Sequence, residues 1–178
     1  TATKIASGLA EPLGLKVVDD EIFVLQKQEL TQLIDHDSDE LIDEYATICN
    51  DWTVSANFHE FAFGLEYQDG HFYGNLAIGI LPGGASATDQ PKDRGRTFKI
   101  SKADGTFETI TQGLRTPNGI GFGVDGEMFI SDNQGDWLPS SKLLEVRRGD
   151  FYGSRAVPDE NVLARVEEPP AVWLPQDE

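Results

Sequence analysis

The sequence contains a single cysteine, few cationic residues and no long apolar run. Cys49 cannot form a disulfide within the chain, and it lacks partners at zinc-site spacing. No stretch approaches 18 uninterrupted apolar residues, which argues against a helix that crosses a membrane. Lysine and arginine number 14 against 31 aspartates and glutamates, giving a net charge of −17. This charge opposes binding to nucleic acid or to anionic lipid, and it is typical of a secreted or periplasmic protein.

No run of apolar residues at helical spacing continues for more than about two turns, so the sequence predicts an all-β fold. Three short runs rich in β-branched and aromatic residues predict strands at 21–25, 71–76 and 127–131. A pair of turn residues precedes each run, Asp-Asp in the first case and Asp-Gly in the other two. Such pairs are typical of tight β-hairpins.

A glycine followed by an apolar residue recurs along the chain. The three copies are Gly14-Leu15, Gly64-Leu65 and Gly119-Ile120. Two of them lie in longer matching segments, "GLAEPLGLKVVDDEIFVL" at 8–25 and "GLRTPNGIGFGVDGEMFI" at 113–130. The spacing of about 50 residues, with a hairpin in each unit, is typical of β-propeller blades.

The repeat therefore predicts about three four-stranded antiparallel blades, which make up a partial propeller. We place the blades at approximately 8–55, 56–112 and 113–168, with 169–178 as the start of a further strand. Their inner strands are expected at 14–18, 64–68 and 119–123. A β-sandwich would also have short strands, but its turns would not repeat in phase.

Segment 113–153, which contains "RTPNGIGFGVDGEMFISDNQGDW", resembles the six-bladed propellers of the glucose/sorbosone dehydrogenase family. The segments "NFHEFAFGLEYQDGHFYG" at 57–74 and "DRGRTFKISKADGTFETI" at 93–110 fit the same pattern. The resemblance covers nearly the whole chain, at about half a propeller's length. It implies an oxidoreductase that oxidises a sugar hydroxyl, with pyrroloquinoline quinone (PQQ) and calcium as cofactors.

The resemblance also assigns roles to individual residues. His59 matches the base that accepts the proton of the sugar hydroxyl. The positions assigned to the cofactor or its calcium are Arg115, Thr116, Asn118, Gly135 and Asp136. Arg115 matches an arginine of a His-Arg-Asn-Pro-Gln-Gly-type motif, and the last two positions match backbone carbonyls that hold the calcium. The family's later lysine and arginine contacts have no counterpart in this chain.

A second interpretation of these residues stays open. His59 could be a loop histidine with its hydrogen bonds satisfied, and Arg115 could pair with Glu60, Asp132 or Asp136. The chain would then be a non-catalytic propeller that binds a carbohydrate or a protein partner on its axial face.

A separate calcium site is predicted in the run "DHDSDELIDEY". Its candidate ligands are the carboxylates of Asp35, Asp37, Asp39 and Asp43 and the carbonyl of Leu41. Alternating acids direct oxygen atoms to the centre of one loop, as calcium requires. Glu40 stands where such loops usually have a glycine, and an acidic solvated hairpin is the alternative interpretation.

An arc of three blades would leave two apolar blade faces uncovered. Two copies related by a two-fold axis would provide six blades, the number found in the family that the chain resembles. We therefore expect a homodimer that completes a ring, with a small sugar as the other partner.

Overall fold

The computed structural model describes residues 2–135 and 138–175. Within these ranges the chain forms three four-stranded antiparallel sheets and one 3-10 turn at Val162–Ala164. No helix in the described ranges is long and apolar enough to cross a membrane. The prediction of an all-β fold with three four-stranded blades is confirmed.

Each sheet is formed by four strands that follow one another in the sequence. The first blade contains β1 (Gly14–Val18), β2 (Glu21–Leu25), β3 (Leu30–Ile34) and β4 (Glu44–Cys49). The second contains β5 (Ala62–Gln68), β6 (His71–Leu76), β7 (Arg96–Ser101) and β8 (Phe107–Thr109). The third contains β9 (Gly119–Phe122), β10 (Met128–Asp132), β11 (Ser140–Val146) and β12 (Val172–Pro175).

The strand expected at 169–178 is β12, and it belongs to the third blade. It pairs with β11 through contacts such as Leu143 opposite Val172. The free edge of β11 offers unpaired backbone groups, and β12 satisfies them. The third sheet therefore extends past residue 168, the predicted end of the third blade.

Left-handed turn residues connect the first two strands of the first two blades. Asp19 and Asp20 have φ angles of 52° and 64°, and Asp69 and Gly70 have φ angles of 49° and 78°. Two consecutive residues at positive φ match the right-handed twist of the strands that they join. The Asp-Asp and Asp-Gly pairs therefore form the hairpins that the sequence predicted.

The repeated glycines lie where the inner strands come closest together. A Cβ atom on Gly14 would be 2.7 Å from the carbonyl oxygen of Gly64. A Cβ atom on Gly64 would be 2.5 Å from Cγ2 of Ile120, and the φ angle of Gly64 is +66°. A side chain at either position would force the neighbouring blade away. The glycine repeat thus sets the separation of β1, β5 and β9.

Aromatic and aliphatic side chains fill the space between the first two blades. The ring of Phe23 lies 4.5 Å from that of Phe72, and Trp52 stacks on Phe98 at 5.5 Å. Cys49 is buried in the same cluster. A smaller cluster in the third blade contains Leu114, Ile130, Leu144 and Tyr152.

The outer face of the first blade is apolar but open, since Leu15 is 64% and Val17 is 57% exposed.

The contact between Gly64 and Ile120 can be tested with two alanine substitutions. Gly64→Ala and Gly70→Ala both place a side chain at positive φ, but only the first meets a neighbouring atom within 3 Å. We expect Gly70→Ala to lower the free energy of unfolding by about 1 kcal/mol and Gly64→Ala by about 2–4 kcal/mol. Urea denaturation measures both values. Equal losses would show that the glycine is needed only for its backbone conformation.

Candidate functional site

A polar cavity of about 390 Å³ lies at one end of the second and third blades. Its lining residues come from the loop before β5, the start of β5, the loop before β9, the end of β10 and the start of β11. They are His59, Phe63, Thr116, Asn118, Ser131, Asp132, Asn133 and Ser141. The structure therefore brings three residues assigned by the resemblance, His59, Thr116 and Asn118, to one cavity. A larger cavity of about 530 Å³ on the first blade contains none of them.

His59 lines this cavity and carries one nitrogen without a hydrogen-bond partner. The side chain is half-buried, and Nδ1 is buried without a hydrogen-bond partner. The rings of Phe58 and Phe61 lie 6.0 Å and 5.3 Å from the imidazole. A buried polar atom of this kind is uncommon, because its lost hydration is normally replaced by a hydrogen bond. The alternative of a loop histidine with satisfied hydrogen bonds therefore does not describe Nδ1.

Arg115 and Thr116 add two more unpaired polar atoms beside the cavity. Arg115 is 8% exposed and Thr116 is 6% exposed, and Nε of the arginine and Oγ1 of the threonine have no partner. The Arg115 guanidinium donates through Nη2 to the carbonyl of Gly84, in the long loop that follows the second strand of blade two. Glu60, considered above as a partner of Arg115, forms its ion pair with Arg94 instead.

Five lining residues were missing from the site predicted from the sequence: Phe63, Ser131, Asp132, Asn133 and Ser141. Asp132 is the charged one among them. It ends β10 and is 2% exposed. Its Oδ1 accepts hydrogen bonds from the backbone N–H groups of Arg115, Thr116 and Asn133, at 3.2, 2.9 and 3.1 Å. The carboxylate thereby fixes the backbone that carries two of the predicted cofactor contacts. The signal available in the sequence was the acid-amide pair Asp132-Asn133 directly after an apolar strand.

Burial changes the acidity of Asp132. Desolvation raises the pKa of this carboxyl to about 6, although the backbone N–H groups and the charge of Lys142 act in the opposite direction. Lys142 lies opposite Asp132 in the β10–β11 pairing and donates to the carbonyl of Tyr152 at 2.6 Å. At neutral pH the cavity wall therefore carries a buried negative charge.

The predicted calcium contacts at Gly135 and Asp136 lie partly outside the described residues. Asp136 is in the undescribed part of the chain. Gly135 lies in a turn after β10, where its carbonyl accepts a hydrogen bond from the N–H of Leu138 at 3.2 Å. Gly135 does not line the cavity of about 390 Å³. A calcium role for this segment stays a prediction.

The acidic loop before β4 brings three of its five predicted ligands together. The carboxylates of Asp35, Asp37 and Asp39 have oxygens within 4.8 Å of one another. Glu40 adopts a φ angle of +70°, so the sharp turn forms without the usual glycine. The other two predicted ligands, the Leu41 carbonyl and Asp43, stay predictions. The N–H of Leu41 donates to Asp39, and Asp43 accepts the N–H of His36.

The three sheets define the chain as part of a β-propeller. The chain belongs to a family described as a domain of unknown function, DUF7133, whose profile matches residues 1–165. No curated protein matches the chain in sequence.

Solved structures with a similar fold include oxidoreductases that act on sugars. An AA12-family carbohydrate-active enzyme of Trichoderma reesei is 16% identical, with a TM-score of 0.66 over 86% of this chain and 45% of that one. A glucose dehydrogenase is 15% identical, with a TM-score of 0.64 over 93% of this chain and 58% of that one. This chain thus spans about half the length of these structures. At such identities the likeness shows a shared fold alone.

A PQQ-bound aldose sugar dehydrogenase from Streptomyces coelicolor is also similar, at 12% identity. Its TM-score is 0.44, over 99% of this chain and 71% of that one.

The buried charge of Asp132 predicts a pH-dependent difference between wild type and Asp132→Asn. The folded-state pKa of about 6 exceeds the ordinary value of 3.8, so the contribution of this group to stability is complete below 3.8 and is lost as pH rises through 6. Asparagine cannot ionise but keeps the Oδ1 acceptor. Relative to wild type, the free energy of unfolding of the variant should rise by about 3 kcal/mol between pH 3.5 and 7.

Urea denaturation at several pH values measures this difference. Any constant cost of the substitution, such as the lost contact between Oδ2 and the Arg115 N–H, cancels in the comparison. A difference that does not change with pH would show that Asp132 ionises freely in the folded protein.

The acidic loop predicts a thermal shift with calcium. If Asp35, Asp37 and Asp39 bind the ion, millimolar calcium should raise Tm by several degrees, because only the folded chain holds the three carboxylates together. Asp37→Ala should abolish this increase, whereas Asp69→Ala, in a hairpin turn outside the cluster, should keep it. Calorimetry that finds the same Tm with calcium and with a chelator would rule the site out.

Proposed function

We propose that the cavity at the end of the second and third blades binds a sugar, and that the chain provides blades of a PQQ-type sugar dehydrogenase. One observation carries the proposal. Nδ1 of His59 and Oγ1 of Thr116 are buried without partners at the same cavity. Each would gain a hydrogen bond from a bound hydroxyl, which would offset the hydration lost on folding.

The lining of the cavity supports a neutral polyhydroxyl ligand. Amide groups of Asn118 and Asn133 and hydroxyl groups of Ser131 and Ser141 can each exchange hydrogen bonds with sugar hydroxyls. Phe63 adds an apolar surface for the C–H face of a sugar ring. None of the described lining residues is cationic, while Asp132 is anionic at neutral pH. An anionic substrate would therefore be disfavoured.

Within this proposal His59 takes the part of the general base. Nδ1 has no hydrogen-bond partner within the fold, so it can accept the proton of a sugar hydroxyl. The carboxylate of Asp132 does not take this proton. It holds the Arg115 and Thr116 backbone in position through their N–H groups.

PQQ carries carboxylates and a quinone, and when bound it supplies the acceptor for the hydride of the oxidised carbon. Arg115, Thr116 and Asn118 fit one edge of PQQ. Arg115 would hold a carboxylate, because its Nε is buried without a partner. Thr116 and Asn118 would add neutral hydrogen bonds. Arg115 is the single cation among the predicted cofactor contacts, so the remaining carboxylates require cations from elsewhere.

The second candidate is a non-catalytic propeller that binds a carbohydrate in the same cavity. The absence of cations among the described lining residues favours this function, since a tricarboxylate cofactor would meet the charge of Asp132. The same polar groups would hold the sugar, and no electron acceptor would be needed.

Two measurements on the same protein separate these functions. Binding of D-glucose and other aldoses is measured by NMR line broadening, and aldose-dependent dye reduction is measured after addition of PQQ and calcium. We expect both, with His59→Gln lowering kcat at least 100-fold and the exposed His36→Gln having no effect. Binding without dye reduction would favour the non-catalytic propeller. Absence of aldose binding would overturn the assignment of the cavity.

Thr116→Val tests whether the orphaned hydroxyl faces the ligand. The substitution keeps the shape of the side chain and removes the unpaired Oγ1. If Oγ1 binds a sugar hydroxyl, aldose affinity should fall about tenfold. An unchanged affinity, together with a higher Tm, would show that Oγ1 is only a buried polar atom without a role in binding.

We also propose that the chain acts outside the cytoplasm and without nucleic acid or membrane partners, since a net charge of −17 repels both. The open apolar face with Leu15 and Val17 supports association of two copies into a ring of six blades. The homodimer stays a prediction.

A further inference from the structure

His59 lies on a loop that has no regular backbone pairing of its own. The loop spans residues 53–61, between Trp52 and β5. Ser55, Ala56 and Phe58 within it are exposed. A loop of this kind does not hold a side chain in one place unless other groups fix its backbone. The groups that fix it are therefore part of the machinery of the cavity.

One buried ion pair connects both ends of this loop. The carboxylate of Glu60 and the guanidinium of Arg94 are each 0% exposed, and Oε1 lies 3.0 Å from Nη2. Arg94 donates through Nη1 to the carbonyl of Phe61 at 3.0 Å, and through Nε and Nη2 to the carbonyl of Thr53 at 3.2 and 3.1 Å. A single side chain thus binds the first and the last residue of the loop.

Glu60 fixes the middle of the loop in the same way. Its Oε1 accepts the N–H of Ser55 at 2.7 Å, and its Oε2 accepts the Ser55 hydroxyl at 2.6 Å. Burial lowers the pKa of Arg94 to about 10, against the opposing charge of Glu60, so the guanidinium remains protonated at neutral pH. The planar fork of arginine makes these contacts together, and a lysine ammonium does not reproduce them.

Asn57 provides an independent attachment closer to His59. Its Oδ1 accepts the N–H of His59 at 2.8 Å and the N–H of Ile80 at 3.3 Å, and its Nδ2 donates to the carbonyl of Ile80 at 3.2 Å. The side chain therefore joins the backbone of His59 to the segment that follows β6. A Cβ atom on Gly79 would lie 3.2 Å from this amide, so the fit is close.

We infer that the Glu60–Arg94 ion pair, together with Asn57, is the positioning device of His59. These residues do not line the cavity and act through the loop that carries the imidazole. The inference rests on the proposed function for the role of His59 itself. The fixed geometry of the loop stands independently of any ligand.

The test compares local opening of the loop with global unfolding of the protein in the Arg94→Lys variant. Arg148→Lys is the matched control, because Arg148 forms an exposed ion pair with Glu108. Amide hydrogen exchange is measured without ligand at Ser55 and His59 in the loop and at Phe72 and Ile100 in the core. We expect exchange in the loop to accelerate at least tenfold in Arg94→Lys while the core is unchanged, and neither to change in Arg148→Lys.

Equal acceleration in loop and core would overturn the inference, because the pair would then stabilise the fold as a whole. Unchanged exchange in the loop would also overturn it. If Arg94→Lys does not fold, Asn57→Ala provides the same comparison with the ion pair intact. There, faster exchange at His59 alone supports the inference, and an unchanged rate contradicts it.

A binding measurement tests whether the ion pair also affects the cavity. If aldoses bind, their affinity for Arg94→Lys should fall about tenfold with Arg148→Lys unaffected. If no aldose binds even to wild type, the proposed function fails, while the exchange data still decide whether the ion pair positions His59.

Discussion

The close approach of the inner strands is the constraint on which the rest of the structure depends. β1, β5 and β9 lie side by side, and at Gly14 and Gly64 the neighbouring strand comes too close to leave room for a side chain. This separation lets the aromatic cluster around Phe23 and Phe72 fill the space further out. It also brings the ends of the second and third blades near enough to enclose a cavity between them.

Buried charged groups then give the cavity its shape. Glu60 and Arg94 close the loop that carries His59, and Asp132 holds the backbone before β9. In each case a charged side chain satisfies backbone N–H or carbonyl groups of a loop that lacks strand partners. Charges in such positions are costly unless fully hydrogen-bonded, and these form several hydrogen bonds each. These hydrogen bonds offset the cost of burial and fix the backbone of the loops.

A carbohydrate-active enzyme and a glucose dehydrogenase share the fold of this chain at sequence identities of 15–16%. The site adds information that the fold does not contain. Three polar atoms without partners, in His59, Arg115 and Thr116, lie in or beside one acidic cavity. A ligand with many hydroxyl groups satisfies such atoms without adding charge, which is why a sugar suits the site in both candidate functions.

Local patterns in the sequence were sufficient to predict the strands and the blades. Runs rich in β-branched and aromatic residues, Asp-Asp and Asp-Gly turns and a repeated glycine depend on neighbours in the chain, so they can be recognised without the fold. The resemblance named His59, Thr116 and Asn118, and the structure brings them to one cavity. The structure also brings together the carboxylates of Asp35, Asp37 and Asp39, three of the predicted calcium ligands.

Only the tertiary structure decided which polar groups are paired. Glu60 pairs with Arg94, from the segment before β7, and Asp132 accepts a hydrogen bond from the backbone of Arg115, in the loop before β9. The sequence offered Glu60, Asp132 and Asp136 as partners of Arg115 and no means to choose among them. Burial made the choice, since a charge removed from water must find its hydrogen bonds among the groups that the folded chain places beside it.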